Sequence, residues 1–406
     1  MNKNKQQWLR TIIICAVFLT VLNPSKAQQQ PFSDTTLLFE PVRDGYTMYH
    51  VPALIMTKKG TLLAFAEGRY GNGNDWANID LVMRRSTDNG RTWAPLRVII
   101  PHTNGKPTSN ITPIVDRNGM IHLLFQINYA RAYYMESVDE GINWSVPKEI
   151  TYVFDRFKKE YNWKVLAPGP GHGIQLKSGR LLVPVWLCIP DRSKPGGDHR
   201  PSCVATIYSD DHGKNWKRGA IVTNNGNLSA SGDTIVNPNE SVLIQLQDGH
   251  VMINMRNESS INHRLISYSP DGISVWSTPY FDTAVFEPVC MASLERISGG
   301  QGQKSRIIFV NPDSHEDPIS LNKKRKVNKP RENLTARISY DEGKTWPVRK
   351  ALHKKGAGYS DLAVKGDMVY CLYEIRNGGN DDWKYRIILQ RCNLEWLTNG
   401  NDFINK

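Results

Sequence analysis

The segment Ser86-Thr-Asp88-Asn-Gly90-Arg-Thr-Trp93 decides the fold, because its pattern, S-x-D-x-G-x-x-W, returns along the chain. Intact copies occupy residues 137–144, 209–216 and 339–346, and a degenerate copy occupies 269–276. Each copy follows a strand-like stretch, so each is expected where a strand turns back in a hairpin. The aspartate can accept hydrogen bonds from backbone amides, the glycine permits a positive φ, and the tryptophan can pack below. The pattern therefore predicts a structural turn, not a catalytic site.

The spacing of these copies predicts a radial arrangement of sheets. Copies separated by roughly fifty to seventy residues correspond to one four-stranded blade each. The repeat resembles the Asp box of the sialidase propellers, and from that resemblance we expect an all-β fold, a six-bladed β-propeller with Asp-box turns. A chain of 406 residues is long enough for one such domain. We therefore predict a single catalytic domain over residues 28–406, whose chemistry must come from residues between the boxes.

The N-terminus has the pattern of a signal peptide over residues 1–27. Lys3, Lys5 and Arg10 precede the apolar run 11–22, and small residues precede Gln28. The run is too short to cross a hydrocarbon core of ~30 Å. We therefore predict a secreted or periplasmic protein without a membrane span.

Composition narrows the classes of partner. The formal net charge is +12 and stays positive without the four bases of the predicted signal peptide, so an anionic partner is expected. Nucleic acid is not predicted, because no aromatic and basic residues alternate along a stripe. The basic run 323–329 is interpreted as a solvated loop. The sequence has no H-E-x-x-H and no clustered His/Cys spacing, so we predict no metal and no cofactor. The five cysteines after residue 27 are an odd, sparse set, so disulfides are not expected to organise the fold.

A second line of resemblance begins at Tyr49-His50-Val-Pro52-Ala53-Leu54 and continues through residues 60–69, GTLLAFAEGR. These segments are similar to the opening of the sialidase family. In that family a carboxylic acid follows the A-E-x-R segment, about ten residues before the paired arginines ahead of the first Asp box. Asp75 occupies that place, so the resemblance implies a general acid/base with a raised pKa beside Trp76. It also implies that Arg69 binds substrate.

The resemblance extends to the C-terminal half of the chain. Glu240, after Pro238-Asn239, resembles the family's active-site glutamate, and Arg256 resembles its second active-site arginine. Arg331 matches the third arginine, ahead of the last Asp box. The segment that begins at Tyr359, Y-S-D-L, matches the nucleophile segment, and Glu374 matches a late glutamate that braces the arginines in the substrate-binding site.

These residue types suit a sugar that carries a carboxylate on its anomeric carbon. A carboxylate nucleophile would be repelled by that charge, whereas a neutral tyrosine is not. Glu240 is expected to take the phenolic proton of Tyr359, since a free phenol is protonated near neutral pH. Arg256 and Arg331 would supply planar forks for the substrate carboxylate. The resemblance therefore implies a retaining exo-glycosidase that hydrolyses terminal α-linked sialic acid from glycoconjugates.

His50 departs from the family pattern, which has an arginine at this place. A substrate-binding histidine there leaves two substrate classes open: sialic acid, or another 3-deoxy-2-ulosonic acid such as Kdn or Kdo. A non-catalytic propeller that binds glycans is the alternative of another class. The joint presence of Asp75, Glu240 and Tyr359 favours an enzyme, because a lectin needs no acid, base and nucleophile. The expected partners are sialylated or other ulosonic-acid-bearing glycans.

Overall fold

The computed structural model of the chain describes residues 30–103, 105–194, 196–298, 303–314, 330–376 and 384–404. The predicted signal peptide at 1–27 and the basic run at 323–329 lie outside the described residues.

The described residues form an all-β structure of 24 strands with two short α-helices, α1 at Thr151–Asp155 and α2 at Leu394–Leu397. Strands β1 to β5 span Ser33–Phe39, Met48–Met56, Leu62–Arg69, Ile79–Ser86 and Arg97–Ile100. Strands β6 to β9 span Thr108–Val115, Ile121–Ile127, Arg131–Ser137 and Lys148–Glu149. Strands β10 to β14 span Val165–Pro168, Ile174–Gln175, Leu181–Cys188, Ser202–Ser209 and Lys217–Asn224.

The remaining strands continue the same pattern. Strands β15 to β18 span Ser241–Gln245, Val251–Met255, His263–Ser269 and Tyr280–Phe286. Strands β19 to β22 span Ser293–Ser298, Arg306–Pro312, Glu332–Ser339 and Val348–Lys365. Strands β23 and β24 span Met368–Arg376 and Tyr385–Asn393.

The strands pair antiparallel in chain order, which gives the successive sheets of a β-propeller. Three sheets have four strands (β2 to β5, β6 to β9 and β15 to β18), and a fourth contains β10 to β14. The first strand, β1, pairs with β24, so the two ends of the described chain meet in one sheet. The prediction of an all-β propeller is confirmed.

The blade count differs from the prediction. Among the described residues four sheets are separate blade-sized units, not six, and the other strands form one seven-stranded sheet. The cause is the length of β22, which has 18 residues. Its first part pairs with β21 and its second part with β23, so one continuous strand belongs to two neighbouring groups of strands.

The core lies between the sheets. Strands such as β3 and β12 are buried along their whole length, because each sheet is covered on both faces by its neighbours. Apolar clusters fill the successive gaps; one, for example, joins Leu63 and Phe65 of β3 to Leu123 and Phe125 of β7. The strands are therefore fixed from both sides, which makes their ends a rigid support for a site.

The Asp boxes form the structural turns that the sequence predicts. The Ser86 hydroxyl donates to Asp88 Oδ1 at 2.8 Å and accepts from the Gly90 amide at 2.9 Å. Asp88 accepts the amides of Arg91 and Thr92 at 3.0 and 2.9 Å. Gly90 has a φ of 77°, which favours glycine. The four intact boxes follow β4, β8, β13 and β21, at the end of each sheet where its first strand finishes.

Candidate active site

A polar pocket of about 470 Å³ lies at the other end of the propeller, where the first strands of the sheets begin. His50 enters it from β2, Glu240 from just before β15, and Tyr359 from the middle of β22. The pocket is lined by seven of the eight predicted site residues, namely His50, Arg69, Asp75, Glu240, Arg256, Arg331 and Tyr359. The eighth, Glu374, is fully buried beneath it.

Tyr359 and Glu240 form a direct pair. The Tyr359 hydroxyl donates to Glu240 Oε1 at 2.6 Å and accepts from Arg256 Nη1 at 2.7 Å. Burial raises the pKa of Tyr359 well above its ordinary value of 10.0; Arg256 opposes this effect and Glu240 adds to it. The phenol is therefore neutral in the free pocket, with a carboxylate already in place to accept its proton.

Two arginines surround this pair. Arg256 also bonds Glu240 Oε2, so one guanidinium nitrogen contacts both members of the pair. Arg331 donates to the carbonyl of Val289 at 2.7 Å, and its guanidinium carbon lies 5.2 Å from the centroid of the Tyr359 ring. Both cations line the pocket, which gives this wall a positive charge suited to an anionic ligand.

Among the residues that the structure describes, Glu374 has no hydrogen bond or ion pair with an arginine, and this corrects the expected bracing role. Its Oε1 contacts His50 Nδ1 and accepts the Val51 amide at 2.8 Å, and its Oε2 accepts the Tyr359 amide at 2.9 Å. The His50 ring also stacks on Tyr385, with centroids 5.0 Å apart and planes within 4°. Glu374 therefore supports the histidine and the backbone of the tyrosine from below, instead of lining the substrate-binding surface.

The expectation of a raised pKa for Asp75 is wrong for the free pocket. Asp75 Oδ1 accepts from Arg69 Nη1 at 2.9 Å, and the Asp75 side chain is 43% exposed. Burial raises the pKa of Asp75, but Arg69, His199 and His50 together lower it further, to about 2. The carboxyl is therefore ionised at neutral pH in this state.

All three nitrogens of the Arg69 guanidinium donate hydrogen bonds to other groups of the protein. Its Nε and Nη2 donate to Glu67 Oε2 at 3.0 and 2.6 Å, and its Nη1 donates to the carbonyl of Gly73 at 2.9 Å as well as to Asp75. Glu67 is fully buried. Arg69 lines the pocket, and its Nη1 contacts with Gly73 and Asp75 also hold the loop that carries Asp75.

A family model described as a BNR repeat-like domain matches residues 50–371 of this chain, which contain all of these residues except Glu374. The chain belongs to the BNR-repeat sialidase family. It is 26% identical over 389 residues to a sialidase from Micromonospora viridifaciens, an alignment that covers 87% of this chain and 53% of that protein. It is 28% identical to a sialidase from Bacteroides fragilis, with 82% and 60% covered. An exo-alpha-sialidase from Aspergillus fumigatus is 27% identical, with 88% and 86% covered.

Solved structures of sialidases have the same fold. The Hadza microbial sialidase Hz136 superimposes with a TM-score of 0.71 at 24% identity, covering 88% of this chain and 68% of that one. The Trypanosoma rangeli sialidase gives a TM-score of 0.67 at 20% identity, with 89% and 60% covered. This chain spans little more than half the length of the first two curated relatives. The family comparison confirms the predicted family, which is one of exo-sialidase-type glycoside hydrolases.

One wall of the pocket in this BNR-repeat sialidase-family chain was not predicted from the sequence. His199 ends a short 3₁₀ helix at Gly197–His199, and its ring centroid lies 4.8 Å from that of Tyr129 and 5.3 Å from that of Trp186. Its Nδ1 is 3.7 Å from Asp75 Oδ2. Burial lowers the pKa of His199, although Asp75 opposes this. The Gly- and Pro-rich segment 191–198 indicates a loop here, but nothing in the sequence pairs that loop with Asp75.

Two further properties concern the described ranges only. They contain no group of three or more His, Cys, Asp or Glu residues arranged to hold a metal ion. Within the same ranges, neither helix has the length and apolar character needed to cross a bilayer.

Proposed function

We propose that this chain is a retaining exo-sialidase that removes terminal α-linked sialic acid from glycoconjugates, with Tyr359 as its nucleophile. The observation that carries the proposal is the 2.6 Å hydrogen bond from the Tyr359 hydroxyl to Glu240. It lies in a pocket where Arg256 and Arg331 supply positive charge for the sugar carboxylate. The relatives named as sialidases support the same reaction.

In the first step the Tyr359 oxygen bonds to the anomeric carbon as its proton passes to Glu240. The bond from that carbon to the leaving oxygen breaks, and Asp75 supplies the proton that the leaving group needs. A neutral nucleophile suits this reaction, because the substrate carboxylate is attached to the carbon under attack. The product of the step is a glycosyl-tyrosine and a free aglycone.

In the second step Asp75, now a carboxylate, takes a proton from water as the water oxygen bonds to the anomeric carbon. The bond to Tyr359 breaks, and the phenol recovers its proton from Glu240. Two displacements at one carbon retain its configuration.

Asp75 must carry a proton for the first step, although its pKa in the free pocket is about 2. We propose that bound substrate raises this pKa. The substrate covers the exposed part of the side chain, and its own carboxylate adds a negative charge to the pocket; both effects favour the protonated acid. Chemistry would then be linked to binding.

A second candidate substrate class is another 3-deoxy-2-ulosonic acid, Kdn or Kdo. The observation that favours it is His50, which replaces the usual arginine and is held by Glu374 and by stacking on Tyr385. A side chain held in this way lines the pocket in a fixed orientation, and the histidine is shorter than the arginine that it replaces. A different sugar outline would fit beside it.

The finer architecture is also a proposal. The seven-stranded sheet divides at β22 into two four-stranded groups, β19 to β22 and β22 to β24 with β1. Counted in this way, the propeller has six blades. We further propose that residues 28–406 act as one catalytic domain and that 1–27 are cleaved on export to the periplasm or exterior. N-terminal mass analysis of protein from the host medium or periplasm would test the cleavage.

The deciding experiment is a hydrolysis screen with aryl α-glycosides of Neu5Ac, Kdn and Kdo. We expect aglycone release from at least one of them, and its loss in Tyr359→Phe. Tyr370→Phe is the matched control, because Tyr370 is 2% exposed in β23 and lies outside the pocket. Binding of these sugars by the wild type without release of aglycone would support the non-catalytic propeller instead.

A further inference from the structure

A second layer of charge lies beneath the catalytic pair. Asp361 follows Tyr359 by two residues on β22. Asp361 is fully buried. Its Oδ2 accepts the Leu54 amide at 2.8 Å and the His172 amide at 3.1 Å, and its Oδ1 accepts from His172 Nδ1 at 2.7 Å. One carboxylate therefore joins β22, β2 and the segment just before β11.

His172 stands between two carboxylates. Besides Asp361, the Oε2 of Glu295 on β19 lies 3.5 Å from His172 Nε2, with Glu295 33% exposed. Arg296 is the nearby cation, and it is paired with Glu342. Burial lowers the pKa of His172, but Asp361 and Glu295 outweigh it and raise the pKa to about 9. His172 is therefore an imidazolium at neutral pH.

This layer is reached from the side of the propeller opposite the catalytic pocket. A cavity of about 340 Å³ there is lined by His172 and Glu295 and by residues from the inner strands of the sheets. Its two amide side chains, Gln175 and Gln245, are occupied by backbone groups of neighbouring turns. His172 therefore borders this cavity and not the catalytic pocket.

The carboxylates of Glu374 and Asp361 both tie β22, which carries the nucleophile, to β2, and His172 is paired with Asp361. Glu374 ties the Tyr359 amide to β2 through Val51, and Asp361 ties the same two strands together again, one step lower, through Leu54. The chain around His172 is also tightly packed against this region. A Cβ on Gly171 would lie 2.4 Å from Met291 Cε, and Met291 belongs to the apolar cluster that contains Tyr359.

We propose that His172, paired with Asp361, is a positioning residue that fixes the Tyr359 nucleophile against the pocket. Removing its charge leaves Asp361 as a buried carboxylate without a cation, a state that proteins relieve by moving the groups around it. The groups that would move are β2 and β22, which carry His50 and Tyr359. The proposal rests on the proposed function, because it concerns the nucleophile of that reaction.

The test compares His172→Gln with His122→Gln. His122 is a matched control: it is fully buried, its Nε2 lies 3.4 Å from Asp116, and it lies on β7 outside the pocket. Both variants are assayed at one temperature below the melting points of both, with an aryl glycoside whose leaving group needs no proton. We expect kcat of His172→Gln to fall on the order of 10- to 100-fold, as for a small misplacement of a reacting group, with KM changed less than about twofold and His122→Gln unchanged.

A second variant remains informative if His172→Gln does not fold. Glu295 is partly exposed and raises the pKa of His172, so Glu295→Gln should lower it. In the wild type kcat should fall as pH rises through about 9, and in Glu295→Gln the same fall should begin at a lower pH. The proposal is overturned if the alkaline limb of kcat in Glu295→Gln lies at the same pH as in the wild type. It is also overturned if His172→Gln has the kcat of the wild type. A wild type inactive on every ulosonic acid glycoside would instead overturn the proposed function.

Discussion

Replacing Arg69 by glutamine should change the acidity of Asp75 more than any other single substitution in the pocket. Among the charges that lower the pKa of Asp75, Arg69 has the largest effect, and its Nη1 lies 2.9 Å from the Asp75 carboxylate. Without it, burial, which is the largest single influence and acts in the opposite direction, should carry the pKa from about 2 toward the ordinary 3.8, against the remaining effect of His199 and His50. A return to 3.8 is a rise of about two pH units, or about a hundredfold in the protonated fraction at pH 6.

The assay is kcat/KM against pH for two substrates, a natural sialoside and an aryl sialoside with a good leaving group. The natural substrate needs a proton from Asp75, so its alkaline limb should move upward by about two pH units in Arg69→Gln. The aryl substrate needs no such proton, and its alkaline limb should not move. Because kcat/KM reports the free enzyme, the comparison addresses the unliganded pocket.

Arg69→Gln also leaves the buried Glu67 without its cation, which should cost about 3–5 kcal/mol of stability. Arg306→Gln is the control for this loss, because it breaks the buried Arg306–Asp402 pair, which lies outside the pocket. Arg306→Gln should lower the melting temperature without moving the alkaline limb of kcat/KM for either substrate. The reasoning is refuted if the alkaline limb of kcat/KM for the natural substrate moves by less than about half a pH unit between the wild type and Arg69→Gln. It is also refuted if the limbs for both substrates move equally.

Three other outcomes follow from the same site. Asp75→Ala should slow natural glycosides about 10²–10⁴-fold more than aryl glycosides with good leaving groups; equal losses on both, measured as kcat/KM, would remove Asp75 from the acid role. His50→Arg places a guanidinium beside Glu374, in the pocket that Arg256 and Arg331 also line, so KM for a Neu5Ac aryl glycoside should fall several-fold, roughly the effect of one added charge-assisted contact; an unchanged KM would show that position 50 does not contact the sugar. Proton NMR of the first-formed free sugar should show the α anomer, and an initial β anomer would contradict a double displacement at Tyr359.

The fold was largely predictable because its deciding interactions are local. Ser86, Asp88 and Gly90 bond one another within four residues, so the turn is encoded in one short segment and repeats wherever that segment repeats. The continuity of β22 is different. Whether one strand joins two sheets depends on its pairing with β21 and β23 together, which no local pattern records.

The candidate site divides in the same way. The residue types and order of Glu240, Arg256 and Tyr359 are those of a known family, and the three side chains do meet in one pocket. The acidity of Asp75 was not predictable, because it depends on how a loop folds back on Arg69 and on His199, which is 124 positions away along the chain. Electrostatic effects of this kind are set by distances in space that a sequence does not contain.

Tyr359 is expected to form a covalent bond to the sugar during the reaction. The most direct measurement is peptide mass mapping after brief incubation with 2,3-difluorosialic acid, or with 2,3-difluoro-KDN if the hydrolysis screen favours that sugar. The fluorine beside the reacting carbon slows both steps, and fluoride as the leaving group needs no proton, so the glycosyl-enzyme should accumulate. We expect one added sugar, on the peptide that contains Tyr359. An adduct on Glu240 or Asp75, or turnover of the probe with no adduct on Tyr359, would contradict it.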